Sequence, residues 1–480
     1  MSYKKFTKDV GILSLTQVIA ALSGIITLPI ITKLLGVENY GIWIQLLVTL
    51  GLVSSIAIIN LPYTLVRFLP GEKNKEEIQD GIWSVFIMVF VILIVISALL
   101  IFFSGVISLF LGCTQNFVLI LSLIIIFECL NQIFYNTFRA FQEIKKYCFF
   151  TISQTIGQAV LILSAIILGY GLLGAVLSLL LIRIIIFLIA GAMVIKKVGV
   201  KIPKFLRIKE YLSFCLPLIP ADTSSWIIQS SDKYFIGLFL GTIFVGYYAP
   251  AYTLGSFIAF FIMPLGFLLP ATLSKHYDEN KIDEVKVYLK YSLKYFLMIA
   301  IPAFFGLSAL SRPLLSTFST PEIAQHSYLV VPLVALGMLL SGIYAITNQI
   351  IILKKKTKIS GAIWIVAAFL NFGLNFIFVP LFGILGAALT TLLAYAIITV
   401  LNWRYSFKEL KFDIDWQFIL KSLFASLLMA LFVFWLKPVG LYKNIYAIIS
   451  GVLIYGILIF SLRGFSKQEF QLFKNITKNS

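Results

Sequence analysis

The sequence is poor in the side chains on which most enzymes and metal sites depend. Charged residues make up 12% of the 480 residues, and the chain contains two histidines and four cysteines. The cysteines, Cys113, Cys129, Cys148 and Cys215, form no CxxC pair, so their spacing indicates neither a disulfide framework nor a zinc site. No Walker motif, nucleophile elbow or HExxH motif occurs. We therefore expect a protein that is not an enzyme and uses no cofactor or metal ion.

What the sequence has instead is a succession of long apolar runs. Hydrophobic residues make up 60% of the chain, and its mean hydropathy is +1.01. Because about 20 apolar residues in a helix cross a bilayer, we predict an all-α polytopic membrane protein with about 14 transmembrane helices. The predicted spans are residues 10–35, 41–66, 82–103, 117–138, 149–169, 172–195, 211–240, 243–273, 288–310, 327–353, 359–379, 383–403, 417–436 and 444–462.

The formal net charge of +18 comes mainly from basic residues in the connections between these runs. Most of the 38 Lys and Arg residues fall in every second connection, whereas the intervening connections hold only Lys33, Arg312, Lys437 and Lys443. Because basic loops stay in the cytoplasm, we expect a multi-pass protein of the cytoplasmic membrane with both termini cytoplasmic. No basic domain is large enough to grip a duplex, so we expect no nucleic-acid partner.

Two glycine motifs recur in the second half of the chain in the same order. Leu35–Trp43 and Leu240–Tyr248 both read L-G-x4-G-x-aromatic, and Gly171–Ser178 resembles Gly383–Thr390. The motifs fall at equivalent turns, so helices 1–6 and 7–12 are predicted to be copies that share one orientation in the membrane. The predicted parts are a first lobe at 1–197, a linker at 198–210, a second lobe at 211–404, and two further helices with a cytoplasmic tail at 405–480.

Ionisable groups inside the predicted spans are few, and they are costly to place in hydrocarbon. The carboxylates are Glu128, Asp222 and Asp232, and the cations inside spans include Arg183 and Lys233. We predict that they line a hydrated cavity between the two halves; the alternative is hydrogen bonding that only holds helices together. Asp232 and Lys233 lie about 100° apart on a helix and need not pair. Arg183 either pairs with Glu128 or an aspartate, or binds an anionic substrate.

Taken together, these features resemble a known family. The number of spans, the opening Leu-Pro-Ile-Ile-Thr-Lys-Leu-Leu-Gly36-x4-Gly41 and the run Ser-Asp232-Lys233-Tyr-Phe-Ile-Gly237 are similar to the polysaccharide exporters of the multidrug/oligosaccharidyl-lipid/polysaccharide superfamily. Within that superfamily, these features resemble the Wzx-type O-antigen flippases. The resemblance implies a MATE-like fold of two six-helix lobes plus two helices. It also implies a flippase for polyprenyl-pyrophosphate-linked oligosaccharides that works by alternating access and uses an ion gradient.

The resemblance assigns expected roles to the polar residues. A pyrophosphate head requires cations, sugars require amides and aromatic rings, and a coupling H⁺ or Na⁺ requires a carboxylate. The candidate cations are Arg67, Arg139, Arg183 and Lys233. The candidate sugar contacts are Asn131, Gln132, Gln158, Trp226, Asn371 and Asn375. The candidate ion-coupling residues are Asp222, Asp232 and Glu128. We expect a monomer that contacts membrane lipids and the lipid-linked substrate.

Two other functions stay open at this point. A multidrug or cation antiporter of the same superfamily would need a cavity dominated by carboxylates. The first predicted span has Gln17 and no acidic residue, which argues mildly against an antiporter. A scaffold for a membrane-bound glycosyltransferase complex would transport nothing and would tolerate substitution of Asp222, Asp232 and Arg183.

Overall fold

The computed structural model describes residues 3–72 and 74–465, and all regular secondary structure in these ranges is helical. The helices are α1 Tyr3–Ile58, α2 Leu61–Phe68, α3 Lys75–Phe102, α4 Ser104–Leu111, α5 Gln115–Ala140, α6 Ile144–Ile167, α7 Gly171–Val198, α8 Ile208–Cys215, α9 Ile219–Leu240, α10 Thr242–Gly255, α11 Met263–Asp278, α12 Ile282–Ala309, α13 Ser311–Phe318, α14 Pro321–Ser327, α15 Val330–Leu353, α16 Thr357–Glu409, α17 Trp416–Trp435 and α18 Leu441–Ser461. Several lysines assigned to the predicted cytoplasmic side lie outside the described residues or side chains: Lys4, Lys5, Lys8, Lys73, Lys467, Lys474 and Lys478.

Eleven helices of the described residues are long and apolar enough to cross a membrane. Two of these, α1 and α16, contain a non-helical glycine, Gly36 (φ 76°, ψ 166°) and Gly383 (φ 60°, ψ −142°). Each glycine lies at a predicted turn between two spans, where positive φ favours a residue without a Cβ atom. The predicted class, an all-α polytopic membrane protein, is confirmed, and the total of about fourteen spans stays a prediction.

The structure interrupts three predicted spans, and in one of them, 243–273, the 3₁₀ segment Ser256–Phe261 separates α10 from α11. The predicted span 41–66 breaks at Ile59 and Asn60, both with left-handed φ (48° and 57°), and α2 begins directly afterwards. The predicted span 211–240 is divided by a 3₁₀ turn at Leu216–Leu218. Proline accounts for the breaks in 41–66 and 211–240, because Pro62 and Pro217 lack an N–H and fix φ, which favours a helix start over a helix interior.

Polar caps set the start of several helices. Asn74 accepts a hydrogen bond from the backbone N–H of Glu76 at the start of α3, at 3.0 Å. Asp415 accepts one from the N–H of Phe418 at the start of α17, also at 3.0 Å. These side chains satisfy N–H groups that have no partner within the helix, so they fix where the connections end.

The chain divides into two compact units, Met1–Gly246 and Tyr247–Ser480. In the first unit, α5 lies against α2, α3 and α7, while α6 packs on both α1 and α7. In the second unit, α12 packs against α15 and α17, α15 lies along α16, and α17 pairs with α18. The predicted lobes at 1–197 and 211–404, the linker at 198–210 and the C-terminal part at 405–480 stay predictions.

The first pair of repeated motifs has matching local geometry. Gly36 and Gly241 have nearly the same backbone angles, φ 76°, ψ 166° and φ 95°, ψ 169°. Within the first unit, the Leu35–Trp43 motif and the Leu240–Tyr248 motif also contact each other. A Cβ atom at Gly41 would overlap the carbonyl oxygen of Thr242, and one at Gly246 would overlap that of Val37. Val37 stands four residues before Gly41, and Thr242 stands four residues before Gly246. Each glycine therefore faces the carbonyl at the equivalent position of the other motif, as expected of two equivalent turns.

The connection between α7 and α8 is fastened to the start of α3. The buried carboxylate of Asp80 accepts hydrogen bonds from the backbone N–H groups of Lys204 and Leu206. The indole N–H of Trp83 donates to the carbonyl oxygen of Gly199 at 2.9 Å. Arg207 completes this attachment through ion pairs with two glutamates that flank the start of α3. Residues 199–207 are therefore fastened to α3 within the first unit, and we call this segment the strap.

Candidate functional site

The first unit contains a polar cavity of about 650 Å³ between α1, α2, α5, α7 and α9. Apolar side chains of α1 form part of its wall, and polar groups from all five helices converge on it. The polar and charged lining residues are Ser54, Ser55, Asn60, Tyr63, Glu128, Gln132, Asn136, Arg139, Arg183, Asp222 and Thr223. Three residues predicted to contact the substrate, Gln132, Arg139 and Arg183, therefore lie together. Two predicted coupling residues, Asp222 and Glu128, line the same cavity.

An ion pair between α5 and α7 stands in the cavity wall. The Nε of Arg183 donates to Oε2 of Glu128 at 2.8 Å, and the two side chains are 6% and 17% exposed. Arg183 also donates through Nη1 to the carbonyl oxygen of Leu179 at 3.2 Å and towards Oε1 of Gln158 at 3.5 Å. Of the two possibilities that the sequence left for Arg183, the structure shows the pair with Glu128.

Amide side chains complete the surroundings of Glu128. Gln132, one helical turn further along α5, donates to Oε1 at 3.2 Å, a contact that the i, i+4 spacing of the two residues favours. Gln154 of α6 donates to Oε2 at 3.3 Å and itself accepts from the hydroxyl of Tyr135. The carboxylate thus has three donors, which lets a negative charge stay in a mostly buried position.

Arg139 is the second cation of the cavity and has different surroundings. It lies in the last turn of α5, donates to Oδ1 of Asn136 at 3.0 Å, and its guanidinium carbon lies 5.7 Å from the centre of the Tyr147 ring. In the part of the chain that the structure describes, no carboxylate lies within ion-pair distance of it. The charge of Arg139 is therefore available to an anion that enters the cavity.

Asp222 is the second carboxylate of the cavity, and its partner was not predicted. Oδ2 of Asp222 accepts from Nδ2 of Asn60 at 2.5 Å. Asn60 holds left-handed backbone angles, φ 57° and ψ 9°, in the break between α1 and α2. The signal in the sequence is Asn60-Leu61-Pro62, because asparagine tolerates this conformation and proline favours the first turn of a helix.

Asp232 and Lys233 pair with each other, although their angular separation on the helix did not require it. Nζ of Lys233 lies 3.0 Å from Oδ1 of Asp232 and also 3.0 Å from the carbonyl oxygen of Gln229. The flexible four-carbon chain of lysine folds back along the helix and reaches both acceptors. Both residues are buried, and neither belongs to the cavity lining.

The remaining predicted site residues lie elsewhere. Arg67 is exposed on α2, and Trp226 is half-buried on α9, with its ring centre 5.8 Å from that of Tyr234. Asn131 is buried and donates to the backbone carbonyl of Arg183 at 3.0 Å. This bond joins α5 to α7 and is the kind of polar contact that holds membrane helices together. None of the three belongs to the cavity lining, and their roles stay predictions.

Asn371 and Asn375 lie in the second unit, one helical turn apart on α16. Both are buried, and Nδ2 of Asn375 donates to the carbonyl oxygen of Asn371 at 2.9 Å. Oδ1 of Asn375 accepts from Thr390, at 2.9 Å, across the turn at Gly383. Thr390 is the last residue of the repeated glycine motif, so these amides connect the two halves of α16.

Metal coordination has no evident place among the described residues. No group of three or more His, Cys, Asp or Glu side chains there is arranged to hold a metal ion. The cavity combines two arginines with two carboxylates and several amides, which suits a polar ligand carrying both charge and hydroxyl groups.

Comparisons with known proteins agree with this architecture. The family model described as "Polysaccharide biosynthesis protein" matches residues 6–271, more than half of the chain, and one described as "MatE" matches residues 217–377. The chain is 23% identical over 268 residues to the "Probable low-salt glycan biosynthesis flippase Agl15" of Haloferax volcanii, with 55% of each chain covered. The chain thus spans about half the length of the curated relative that it matches.

Two solved structures show the same fold. One is "Lipid II flippase MurJ, inward closed conformation", with a TM-score of 0.79 and 19% identity over 94% of this chain and 98% of that chain. The other is "Inward-facing conformation of a multidrug resistance MATE family transporter of the MOP superfamily", with a TM-score of 0.67 and 13% identity over 83% of this chain and 97% of that chain. The predicted MATE-like fold is confirmed. By the match to more than half of its length, the chain belongs to the polysaccharide biosynthesis protein family.

Proposed function

We propose that the protein is a flippase that moves a polyprenyl-pyrophosphate-linked oligosaccharide across the cytoplasmic membrane, and that it is a transporter and not an enzyme. Membership of the polysaccharide biosynthesis family supports this proposal. A relative described as a glycan biosynthesis flippase and the fold shared with a lipid II flippase support it further.

The observation that carries the proposal is the position of Arg139. Its guanidinium lines a polar cavity in a membrane protein and has no carboxylate partner among the residues described. At the end of α5, facing the open space of the cavity, this charge can bind an anion that enters. Guanidinium groups bind two phosphate oxygens at once, so the pyrophosphate of a lipid-linked sugar is a suitable ligand.

The rest of the cavity suits the sugar part of such a ligand. Asn60, Gln132 and Asn136 offer amide groups that donate and accept hydrogen bonds, and Tyr63 offers an aromatic ring. The lipid tail has no need of this polar space and stays in the hydrocarbon of the bilayer.

Several finer features belong to the same proposal. The protein works as a monomer with both termini in the cytoplasm, and its predicted lobes alternate between two access states. Asp222, Asp232 and Glu128 are the candidates for carrying the coupling H⁺ or Na⁺. Asp222 is the strongest of these, because it is exposed to the cavity and has an amide partner but no cationic one among the contacts seen.

The test is transport by the purified protein in vesicles, with a fluorescent lipid-linked oligosaccharide as substrate. Arg139→Gln is expected to reduce the transport rate at least tenfold, since a hydrogen bond to a charged group contributes about 1.5–3 kcal/mol. Arg139→Lys keeps the charge and should retain part of the activity. Lys145→Gln removes an exposed cation outside the cavity lining and should have little effect. Full activity of Arg139→Gln would contradict the proposal.

A second candidate function is export of organic cations. The carboxylates Glu128 and Asp222 line the same cavity, and the fold is shared with a multidrug transporter. Glu128 is already neutralised by Arg183, so its charge attracts a cation weakly. Uptake of a cationic dye by vesicles that do not transport the lipid-linked sugar would favour this candidate.

A further inference from the structure

The second unit carries an apolar groove that shares no residue with the cavity around Arg139. It measures about 490 Å³ and lies between α12, α15, α16 and α17. Leu293, Leu297 and Ile301, which are nearly buried, line the groove along one stripe of α12, and the stripe continues to Phe305. At 1.5 Å per residue this stripe is about 18 Å long, close to half of the roughly 30 Å hydrocarbon core. The groove therefore has the length of one leaflet.

One end of the groove has the chemistry of a membrane surface. Trp403, Arg404 and Trp416 line it there, and a more polar hollow of about 820 Å³ continues from the same two tryptophans. Tryptophan is enriched at the level of lipid headgroups, where its ring is apolar and its indole N–H can donate. This end of the groove therefore lies where a phosphate group would be.

The charges around this end favour an anion. Asp415 is held by Lys294 at 2.9 Å, and Asp413 lies 3.9 Å from Lys290. Arg404 is exposed, and no carboxylate pairs with it in the ranges that the structure covers. The nearby acids are thus engaged with lysines, while the guanidinium at the mouth of the groove is available.

We propose that this groove binds an anionic glycerophospholipid as a resident ligand. One acyl chain lies along the α12 stripe, and the phosphate contacts Arg404 between Trp403 and Trp416. Any membrane-facing groove fills with lipid chains, so the headgroup provides the selectivity, and basic pockets between membrane helices are known binding places for anionic headgroups. In the predicted orientation the lipid comes from the cytoplasmic leaflet, because Lys290 and Arg404 stand on the basic side of the chain.

Lipid binding to the purified full-length protein in detergent tests this inference. Phosphatidylglycerol and phosphatidylcholine with identical chains are titrated separately, and bound lipid is measured by native mass spectrometry. Phosphatidylglycerol should bind more tightly than phosphatidylcholine. Arg404→Gln should weaken its binding about fivefold, which corresponds to about 1 kcal/mol for one basic side chain at the membrane surface. Arg312→Gln, at an exposed arginine of α13 in the same unit, should leave it unchanged.

A second variant tests the groove without changing charge. Val400 lines the groove and is 52% exposed, so the larger side chain of Val400→Trp should fill the groove. The binding of both phosphatidylglycerol and phosphatidylcholine should then be weaker. Equal phosphatidylglycerol affinity in the parent protein and Arg404→Gln would overturn the assignment. So would equal affinity for the two headgroups, or binding of a polyprenyl phosphate with which phosphatidylglycerol does not compete. Transport is not measured here, so failure of this proposal is distinct from failure of the flippase proposal.

Discussion

The ion pair between Glu128 and Arg183 allows a quantitative test of how the cavity wall is held together. We consider Glu128→Gln, Arg183→Gln and the double variant. The charged atoms are in contact at 2.8 Å, and the side chains are 17% and 6% exposed. With an effective dielectric constant of about 20, charges about 4 Å apart attract by about 4 kcal/mol, and the cost of desolvation cancels much of this.

Removal of one partner leaves the other charge in a mostly buried place. We expect Glu128→Gln to lower the free energy of unfolding by about 3 kcal/mol, because the nearly buried Arg183 loses its carboxylate. Arg183→Gln should cost less, about 2 kcal/mol, because Glu128 keeps hydrogen bonds from Gln132 and Gln154 and is wetted by the cavity. The double variant should cost less than the sum of the single variants by about 2 kcal/mol.

Denaturant unfolding of the purified protein in detergent measures these three values. Asp283→Asn serves as the control, since its carboxylate pairs with Lys286 at 2.9 Å and the two side chains are 95% and 40% exposed. Exposed pairs contribute about 0–1 kcal/mol, so this variant should be nearly neutral. If the losses of the two single variants sum to the loss of the double variant within about 0.5 kcal/mol, the claim that the pair is a coupled unit is refuted.

Three further predictions concern the fold. Gly41→Ala should destabilise the protein by about 1–3 kcal/mol in thermal unfolding, because its Cβ would overlap the Thr242 carbonyl. Gly24 has open space around it, so Gly24→Ala is the control and should be neutral or stabilising. Asp80→Ala should leave two backbone N–H groups of the strap without their acceptor and loosen this segment, so that trypsin cleaves faster after Lys201, Lys204 and Arg207. An unchanged digestion rate would argue against the strap. Burial alone would raise the pKa of Asp415, but the hydrogen bonds from Lys294 and the N–H of Phe418 outweigh it and hold this pKa below its usual range. Since the folded pKa lies below the unfolded value of about 3.9, this stabilisation is present above that pH and is lost as the pH falls through the folded pKa. Asp415→Asn removes the charge but keeps a side chain that can cap α17, so its effect reports the ion pair with Lys294. We expect the variant to melt at a lower temperature than the parent protein at pH 7 and at the same temperature in acid. Equal melting temperatures at pH 7 would contradict the ion-pair argument.

The sequence predicted those features of the fold that depend on local chemistry. The turns at Gly36 and Gly383 were predictable because glycine tolerates positive φ, and the contact between Glu128 and Gln132 was predictable from the i, i+4 spacing. The partner of Arg183 was not, because it depends on how α5 and α7 face each other. Spacing alone offered several carboxylates and could not choose among them.

Two local features were harder to predict from the sequence. The break at Ile59 and Asn60 lies inside an apolar run, where hydropathy indicates one continuous span, so the role of Asn60 was missed. The contact between Asp232 and Lys233 depends on the reach of the lysine side chain, which angular spacing on a helix does not describe. In both cases side-chain and backbone conformation, and not composition, decide the result.

Protection of one cavity position by the substrate tests the account most directly. Ser55 lines the cavity and is exposed, so Ser55→Cys should react with a water-soluble maleimide. The protein without this substitution measures the background labelling of the native cysteines. The account predicts that a polyprenyl-pyrophosphate-linked oligosaccharide slows this labelling and that Arg139→Gln in the same background abolishes the protection. Labelling at an unchanged rate with saturating substrate would contradict the claim that the phosphate-bearing head enters this cavity.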